Sequence, residues 1–332
     1  MANTPRIDRF ERNLLINGGF DLFQRSVGPE NINNSNGGYN TADRWAVQFT
    51  AGPTSRESRR DSGILPPGST SQASLRLNAL NNTTGGNVRV FQRIPAIDSL
   101  TLAEKTISFS VWIRNEATKN IVFTLSHANS GSDNYATAVE FFTDNVTLTP
   151  STDWVEYKFE NISVPAAARQ GIQLLITFQN LDNTVWGDGV TNYDMYVADV
   201  MLVEGPRAVP FSRRGGSFAE EYRLCQTFYE KSYPPFVPPQ SVDSENAVTL
   251  ISSANGRIKK SFDFSVPKYL FGTVEVFDLA GSNSNTVSRE FSGSLAGIGV
   301  TSGRDRARIE TSNSNFGINE RITFHWTCDA EL

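Results

Sequence analysis

From residue 13 to about residue 212 the chain switches repeatedly between apolar and polar positions, with turn-forming residues between the runs. That pattern predicts an all-β sandwich or jelly roll. The clearest run is TISFSVWIRN, 106–115. Side chains alternate across a strand, so Ile107, Phe109, Val111 and Ile113 share one face while Ser108, Ser110, Trp112 and Arg114 share the other. NIVFTLS (120–126) and WVEYKFE (154–160) read as further strands, and YVADVMLVEG (196–205) reads as the closing one. In GIQLLITFQN (171–180), Ile172, Leu174, Ile176 and Phe178 oppose Gln173, Thr177 and Gln179. Near the start, NLLINGGFDLFQR (13–25) predicts a short buried strand at Leu14, Leu15 and Ile16. A turn at Asn17-Gly18-Gly19 follows, where glycine supplies positive φ, before Phe20, Leu22 and Phe23 return to the core.

One segment breaks the strand rhythm. SFAEEYRLCQTFYEKSY opens with Ser217 and Glu220, a Ser-x-x-Glu capping box, and predicts a helix over 217–231. Phe218, Tyr222, Cys225 and Tyr229 recur at i, i+4, i+7 and i+11 as one apolar stripe. YPPFVPP (233–239) ends the helix, because proline cannot continue one. Such a short helix needs packing to be stable. Its stripe, with Leu224 and Phe228, packs either on the chain's own sandwich or in a bundle of three chains. Residues 240–332 return to β patterning in AVTLIS, RIKKSFDF, GTVEVFD, TVSREFS, RARIE and RITFHWTCDAEL. The predicted organisation is an N-terminal arm (1–12), a jelly roll (13–212), a linker with the helix (213–239) and a smaller β-sandwich (240–332).

Composition narrows the chemistry. The 332 residues carry a formal net charge of −5, which gives no general affinity for nucleic acid. Arg56/Arg59/Arg60 and Arg213/Arg214 read as solvated surface. Cys225 and Cys328 are far apart and fit neither a zinc site nor a disulfide scaffold, so buried free thiols are expected, with a single long-range bridge as the alternative. The stretch MANTPRIDRFERN has no apolar core and predicts no signal peptide, hence synthesis in a cytoplasm. No apolar run approaches the roughly 18 residues of a membrane span. Only two histidines occur, His127 and His325, which disfavours a histidine metal cluster or general base. There is no GxSxG elbow, phosphate loop or dinucleotide fingerprint, and no acid sits in a distinctive apolar setting. A non-enzymatic protein is the expectation.

The tryptophans carry more information. Trp45 and Trp154 sit at strand beginnings and read as core. Trp112 shares the polar face of its strand with Arg114, and Trp186 lies in the polar stretch NLDNTVWGDGVTNYD. Sugar rings present apolar C–H faces, so carbohydrate binders combine an aromatic platform with amide and guanidinium hydrogen-bonders. Trp112, Arg114, Gln173, Gln179 and Trp186 are the candidates for such a site, provided their strands are neighbours.

NLLINGGFDLFQRS, then YNTADRWAV (39–47), then VADVMLVEGPRAVPFSRR, then AEEYRLCQTFYEKSY occur in an order that resembles a class of bacteriophage tail fibres and receptor-binding fibres. The ending WTCDAEL is similar to the WTxDAEL ending of that class. The resemblance covers most of the chain. It implies a galactose-binding-like jelly roll, a host-surface glycan as ligand, and residence on the virion with tail, baseplate or capsid proteins as partners. It also implies a homotrimer; the helix's need for packing makes Phe218, Tyr222, Phe228 and Tyr229 the expected contacts, together with the C-terminal sandwich. A structural calcium often joins the first turn to the last strand in such jelly rolls, and Asp21 and Asp199 stand at the matching positions. Two departures stand out: the class more often has glutamate where Asp21 stands, and a second acid where Ala198 stands. The expected role is a short fibre or fibre tip, with a capsid-bound head fibre, decoration or adaptor protein as the alternative and a polysaccharide depolymerase as the third reading.

Overall fold

The computed structural model describes residues 12–32, 38–50, 55–80, 86–115, 119–148, 151–181, 193–252, 258–281, 285–289, 294–296, 298–310, 316–317 and 319–332. The chain divides into two compact units. One comprises residues 1–22, 27–221 and 332; the other comprises 23–26 and 222–331. The division falls inside the helix, within the 213–239 segment, and the Phe23–Ser26 end of the opening motif belongs to the second unit. The N-terminal arm lies outside the described residues except for Arg12.

The first unit is a jelly-roll sandwich of two antiparallel sheets. The six-stranded sheet runs β1 (Glu30–Asn31), β3 (Ser55–Asp61), β4 (Ser74–Leu80), β11 (Tyr193–Glu204), β6 (Thr106–Asn115), β9 (Ser151–Ser163). The five-stranded sheet runs β2 (Ala46–Thr50), β5 (Gly86–Ile94), β10 (Ile172–Leu181), β7 (Lys119–His127), β8 (Val139–Leu148). Inward residues interdigitate as the alternation dictates: Ile107, Phe109, Val111, Ile172, Leu174, Ile176 and Phe178 are fully buried. Aromatic rings bridge the layers, with Phe159 of β9 stacked on Phe109 at 4.6 Å and 4.8 Å from Phe123 of β7. A four-residue helix, α1 (Ala96–Ser99), follows β5.

The opening motif differs from expectation in a way that explains its glycines. Leu15 and Ile16 are buried and Leu14 is half-buried, but the segment forms no regular strand; Leu14 N–H donates to Leu202 O of β11 at 2.8 Å. Positive φ falls on Asn17 (57°) and Phe20 (52°) instead of on Gly18 and Gly19. The glycines serve close approach: a Cβ on Gly18 would stand 2.2 Å from Val200 O, and one on Gly19 would stand 2.3 Å from Ser71 Oγ. Asn17 holds the turn, its amide donating to Leu22 O and Asp43 O at 2.9 Å each. Trp45, fully buried, donates Nε1–H to Asn17 O at 2.9 Å.

The predicted helix is shorter than the sequence pattern. α2 spans Phe218–Gln226, with the Ser217 hydroxyl accepting from Glu220 N–H at 3.2 Å. Phe228 N–H closes its end on Cys225 O at 2.9 Å, and the chain turns into β12 (Tyr229–Lys231). Phe228 and Tyr229 therefore lie beyond the helix and are buried within the second unit. Phe228 stacks on Tyr269 at 5.5 Å, and the Arg25 guanidinium covers Tyr229 at 3.8 Å. Neither is available as an oligomer contact; Phe218 and Tyr222 are half-buried. The stripe was misleading because its last two apolar positions lie beyond the helix, Phe228 in the turn that closes it and Tyr229 in β12.

The second unit is a smaller sandwich centred on its last strand, β20 (Arg321–Asp329). β20 pairs with β12, β13 (Val248–Ile251), β15 (Thr273–Phe277) and β16 (Thr286–Arg289), and β16 pairs with β17 (Ser294–Ala296). A three-stranded sheet of β14 (Lys259–Asp263), β19 (Arg306–Glu310) and β18 (Gly299–Ser302) belongs to the same unit. Val276, Ile309, Ile322, Phe324 and Trp326 share its core. His325 is fully buried, stacked on Tyr233 at 3.9 Å, with Ser232 Oγ 3.0 Å from Nδ1; burial lowers its pKa. Cys225 and Cys328 are buried free thiols.

Candidate functional site

The outward face of the six-stranded sheet carries the site. In the register of β6, Trp112 lies opposite Glu156 of β9 on one side and Ala198 of β11 on the other. Register slips between Ala198 and Met201, which makes Asp199 and Val200 a bulge. Bulges re-aim side chains, and Asp199 sits there at φ 47°, a left-handed conformation that aspartate tolerates better than most residues. The result is a groove of about 320 Å³ lined by Trp112, Asp199, Glu156, Lys158 and Phe211, with Pro67–Thr70 and Pro210 completing its walls.

Two carboxylates face this groove from different surroundings. Lys158 Nζ stands 2.8 Å from Glu156 Oε2, with the lysine side chain half exposed. Asp199 is 3% exposed, and its carboxylate accepts the Ser71 hydroxyl. Burial raises the Asp199 pKa; the Asp21 charge adds to the rise, and hydrogen bonds from Ser71 and Ser69 oppose it. Asp199 is thus the acid in an enclosed setting that the sequence did not reveal. The glycine pair underlies the same spot, since a Cβ on Gly19 would also lie 2.9 Å from Phe211 Cζ.

Farther along the same face, Arg114 lies opposite Tyr196 and its guanidinium covers that ring at 5.2 Å. Arg76 approaches the ring at 5.8 Å and pairs with Asp194, which also accepts Asn78 Nδ2 at 2.8 Å. Trp154, expected in the core, packs edge-on against Tyr196 at 6.1 Å and is half-buried. Its strand alternation sets it on the face of Glu156 and Lys158, away from the inward Phe159.

The five sugar-site candidates are not one constellation. Trp112 and Arg114 belong to β6, which pairs with β9 and β11; Gln173 and Gln179 belong to β10, which pairs with β5 and β7 in the other sheet. The outward faces of the two layers point apart. Gln173 accepts Arg93 Nε at 3.1 Å, and Arg93 covers Tyr135 at 4.6 Å and Phe91 at 5.2 Å. Gln179 lies opposite Asn120 of β7. Trp186 lies outside the described residues.

Asp21 and Asp199 do come together, but the donors around them do not suit calcium. Ca²⁺ takes six to eight oxygen ligands. Asp21 Oδ1 accepts Gln72 N–H, and Oδ2 accepts Arg213 Nε–H at 2.7 Å. Arg213 also donates to Thr70 O at 2.7 Å, so a guanidinium fills the cation's place. Among the described residues no group of three or more His, Cys, Asp or Glu side chains could hold a metal. Arg213 and Arg214 are accordingly not solvated surface: their side chains are 16% and 14% exposed, and Arg214 pairs with Asp98 at 2.7 Å.

Glu156, Lys158, Phe211 and the 67–70 loop were not singled out from the sequence. Strand alternation in WVEYK sets Trp154, Glu156 and Lys158 on one face, but only the β6–β9 register brings them to Trp112. PPGST carries no periodicity to follow.

Fold and groove together define an all-β protein whose N-terminal jelly roll bears an aromatic, acid-lined groove on one sheet. No family model and no curated protein matches the chain. Among solved structures it is similar to the enzymatically active domain of bacteriophage CBA120 tailspike protein 4 (TM-score 0.40, 11% identity, covering 60% of this chain and 22% of that one). It is also similar to TmCBM61 in complex with β-1,4-galactotriose (TM-score 0.34, 16% identity, 58% and 99% covered). A third likeness is to the family 11 carbohydrate-binding module of the cellulase Lic26A-Cel5E of Clostridium thermocellum (TM-score 0.31, 14% identity, 54% and 96% covered).

Proposed function

We propose that this chain is a fibre-type virion protein of a bacteriophage whose jelly roll binds a host-surface glycan without catalysis. The observation that carries the reading is the groove at Trp112, where an indole stands between carboxylates and hydroxyls on an outward sheet face. Indole offers the apolar surface a pyranose ring stacks on, and the polar groups offer acceptors to its hydroxyls. The ordered motifs and the WTCDAEL ending support the virion assignment. Assembly as a homotrimer through the second unit completes the reading; there Leu270 and Phe271 are 42% and 76% exposed.

Binding of the intact chain to a glycan array and to host cells tests the ligand, with Trp112→Ala expected to abolish it. Binding unaffected by that change would refute the site. Labelling of intact particles tests the location: signal at the tail supports a fibre, and signal at the capsid replaces it with a head-fibre or decoration role. Light scattering near 36.6 kDa, the mass of one chain, would overturn the trimer.

One observation favours a second reading, hydrolysis. Asp199 and Glu156 line one groove, and burial raises the Asp199 pKa, as a general acid requires. Release of reducing ends from a bound polysaccharide, lost in Asp199→Asn, would establish it.

A further inference from the structure

The charges that line the Trp112 groove define the class of sugar it accepts. Three ionisable side chains line it: Asp199, Glu156 and Lys158. The single cation is already committed, because Lys158 Nζ sits 2.8 Å from Glu156 Oε2. The nearest guanidinium is committed as well: Arg213 is not among the lining residues and spends its donors on Asp21 and Thr70. Asp199 therefore faces the groove with the hydroxyls of Ser71 and Ser69 as its side-chain donors, and none of the side chains lining the groove is a cation paired with it.

We propose that this groove binds an uncharged sugar ring and discriminates against uronic and sialic acids; the inference rests on the reading of the groove as a glycan site. The ring lies on Trp112, its hydroxyls donate to Asp199 and Glu156, and the Ser69 and Thr70 region supplies further hydroxyl partners. A carboxylate on the sugar would meet Asp199 and Glu156 where the one lining cation, Lys158, is already paired with Glu156 and Arg213 is held by Asp21 and Thr70. Like charges juxtaposed at an interface are a strong means of rejecting a wrong ligand. Volume points the same way, since about 320 Å³ lies at the small end of ligand pockets and fits a short sugar unit. The position of Asp199 is itself built: the bulge and its left-handed backbone aim the carboxylate into the groove at a conformational cost that ordinary strand pairing would avoid.

The test measures binding of the intact chain to neutral polysaccharides and to their carboxylate-bearing counterparts, galactan beside polygalacturonate and glucan beside polyglucuronate. The expected result is that a neutral member binds and loses at least about tenfold in affinity with Trp112→Ala, while its acidic counterpart binds at least about tenfold more weakly than it does. Added salt and Glu156→Gln should both narrow that gap, because both reduce the repulsion. Acidic polysaccharide bound as tightly as neutral, and still dependent on Trp112, overturns the sugar class while leaving the glycan site standing. Binding that ignores Trp112→Ala, or no binding to either set, overturns the glycan reading and this inference with it.

Discussion

Arg213 Nε donates to Asp21 Oδ2 at 2.7 Å, and the aspartate is 1% exposed. The same guanidinium reaches Thr70 O, so one side chain ties the opening turn to the 69–72 loop beside Asp199. A protein cation fills the place where the sequence resemblance implies calcium. Melting temperature should therefore be indifferent to EDTA and to added calcium. Arg213→Met should cost about 3 kcal/mol, the usual effect of stranding one partner of a mostly buried pair. A calcium-dependent rise in the wild-type melting temperature would contradict this account.

Asp199 supplies a pH dependence. Its folded-state pKa is raised, chiefly by burial, so the folded state holds the proton more tightly than the unfolded state does. The ionised form therefore costs stability. That cost is absent below the ordinary carboxylate range, grows as pH rises toward the raised value, and is complete above it. Asp199→Asn removes the titration while keeping an acceptor for Ser71. Denaturant unfolding should show this variant gaining on wild type as pH rises above the ordinary carboxylate range. A difference that stays constant as pH rises from below to above the ordinary carboxylate range would count against a raised Asp199.

Gly19→Ala tests the link between the opening motif and the groove. The added methyl would approach Ser71 Oγ at 2.3 Å and Phe211 Cζ at 2.9 Å, displacing a groove wall. Overpacking of this kind costs about 1–3 kcal/mol, and glycan affinity should fall with it. Stability that drops with affinity unchanged would separate the motif from the site.

Both thiols are sequestered in the second unit, and burial pushes Cys328 up to about 12. Ellman's reagent should find no reactive thiol in the native protein and two after unfolding. Rapid native labelling of either cysteine would disprove the packing around β20.

Much of the fold was legible because strand alternation is a direct imprint of a two-sided sheet. Ile107 to Ile113 and Ile172 to Phe178 are buried as their pattern demands. The site was only half legible. Trp112 could be read as outward from its own strand, but its neighbours depend on pairing across the sheet, which local sequence does not encode. Gln173 and Gln179 follow the same alternation yet belong to the other layer. Asp199 was placed beside Asp21 by resemblance, whereas its aim into the groove comes from a bulge that no periodicity announces. The helix was over-extended because Phe228 and Tyr229 fit a helix's spacing although they are buried in the turn and strand that follow it.

The most direct measurement is a titration of the isotope-labelled chain with a bound neutral oligosaccharide, following the indole N–H signals of its five tryptophans. Trp112, identified by Trp112→Phe, should shift progressively, while Trp45, fully buried in the core, should stay in place. Saturable binding that leaves the Trp112 signal unmoved would contradict the assignment of the glycan site to the six-stranded sheet.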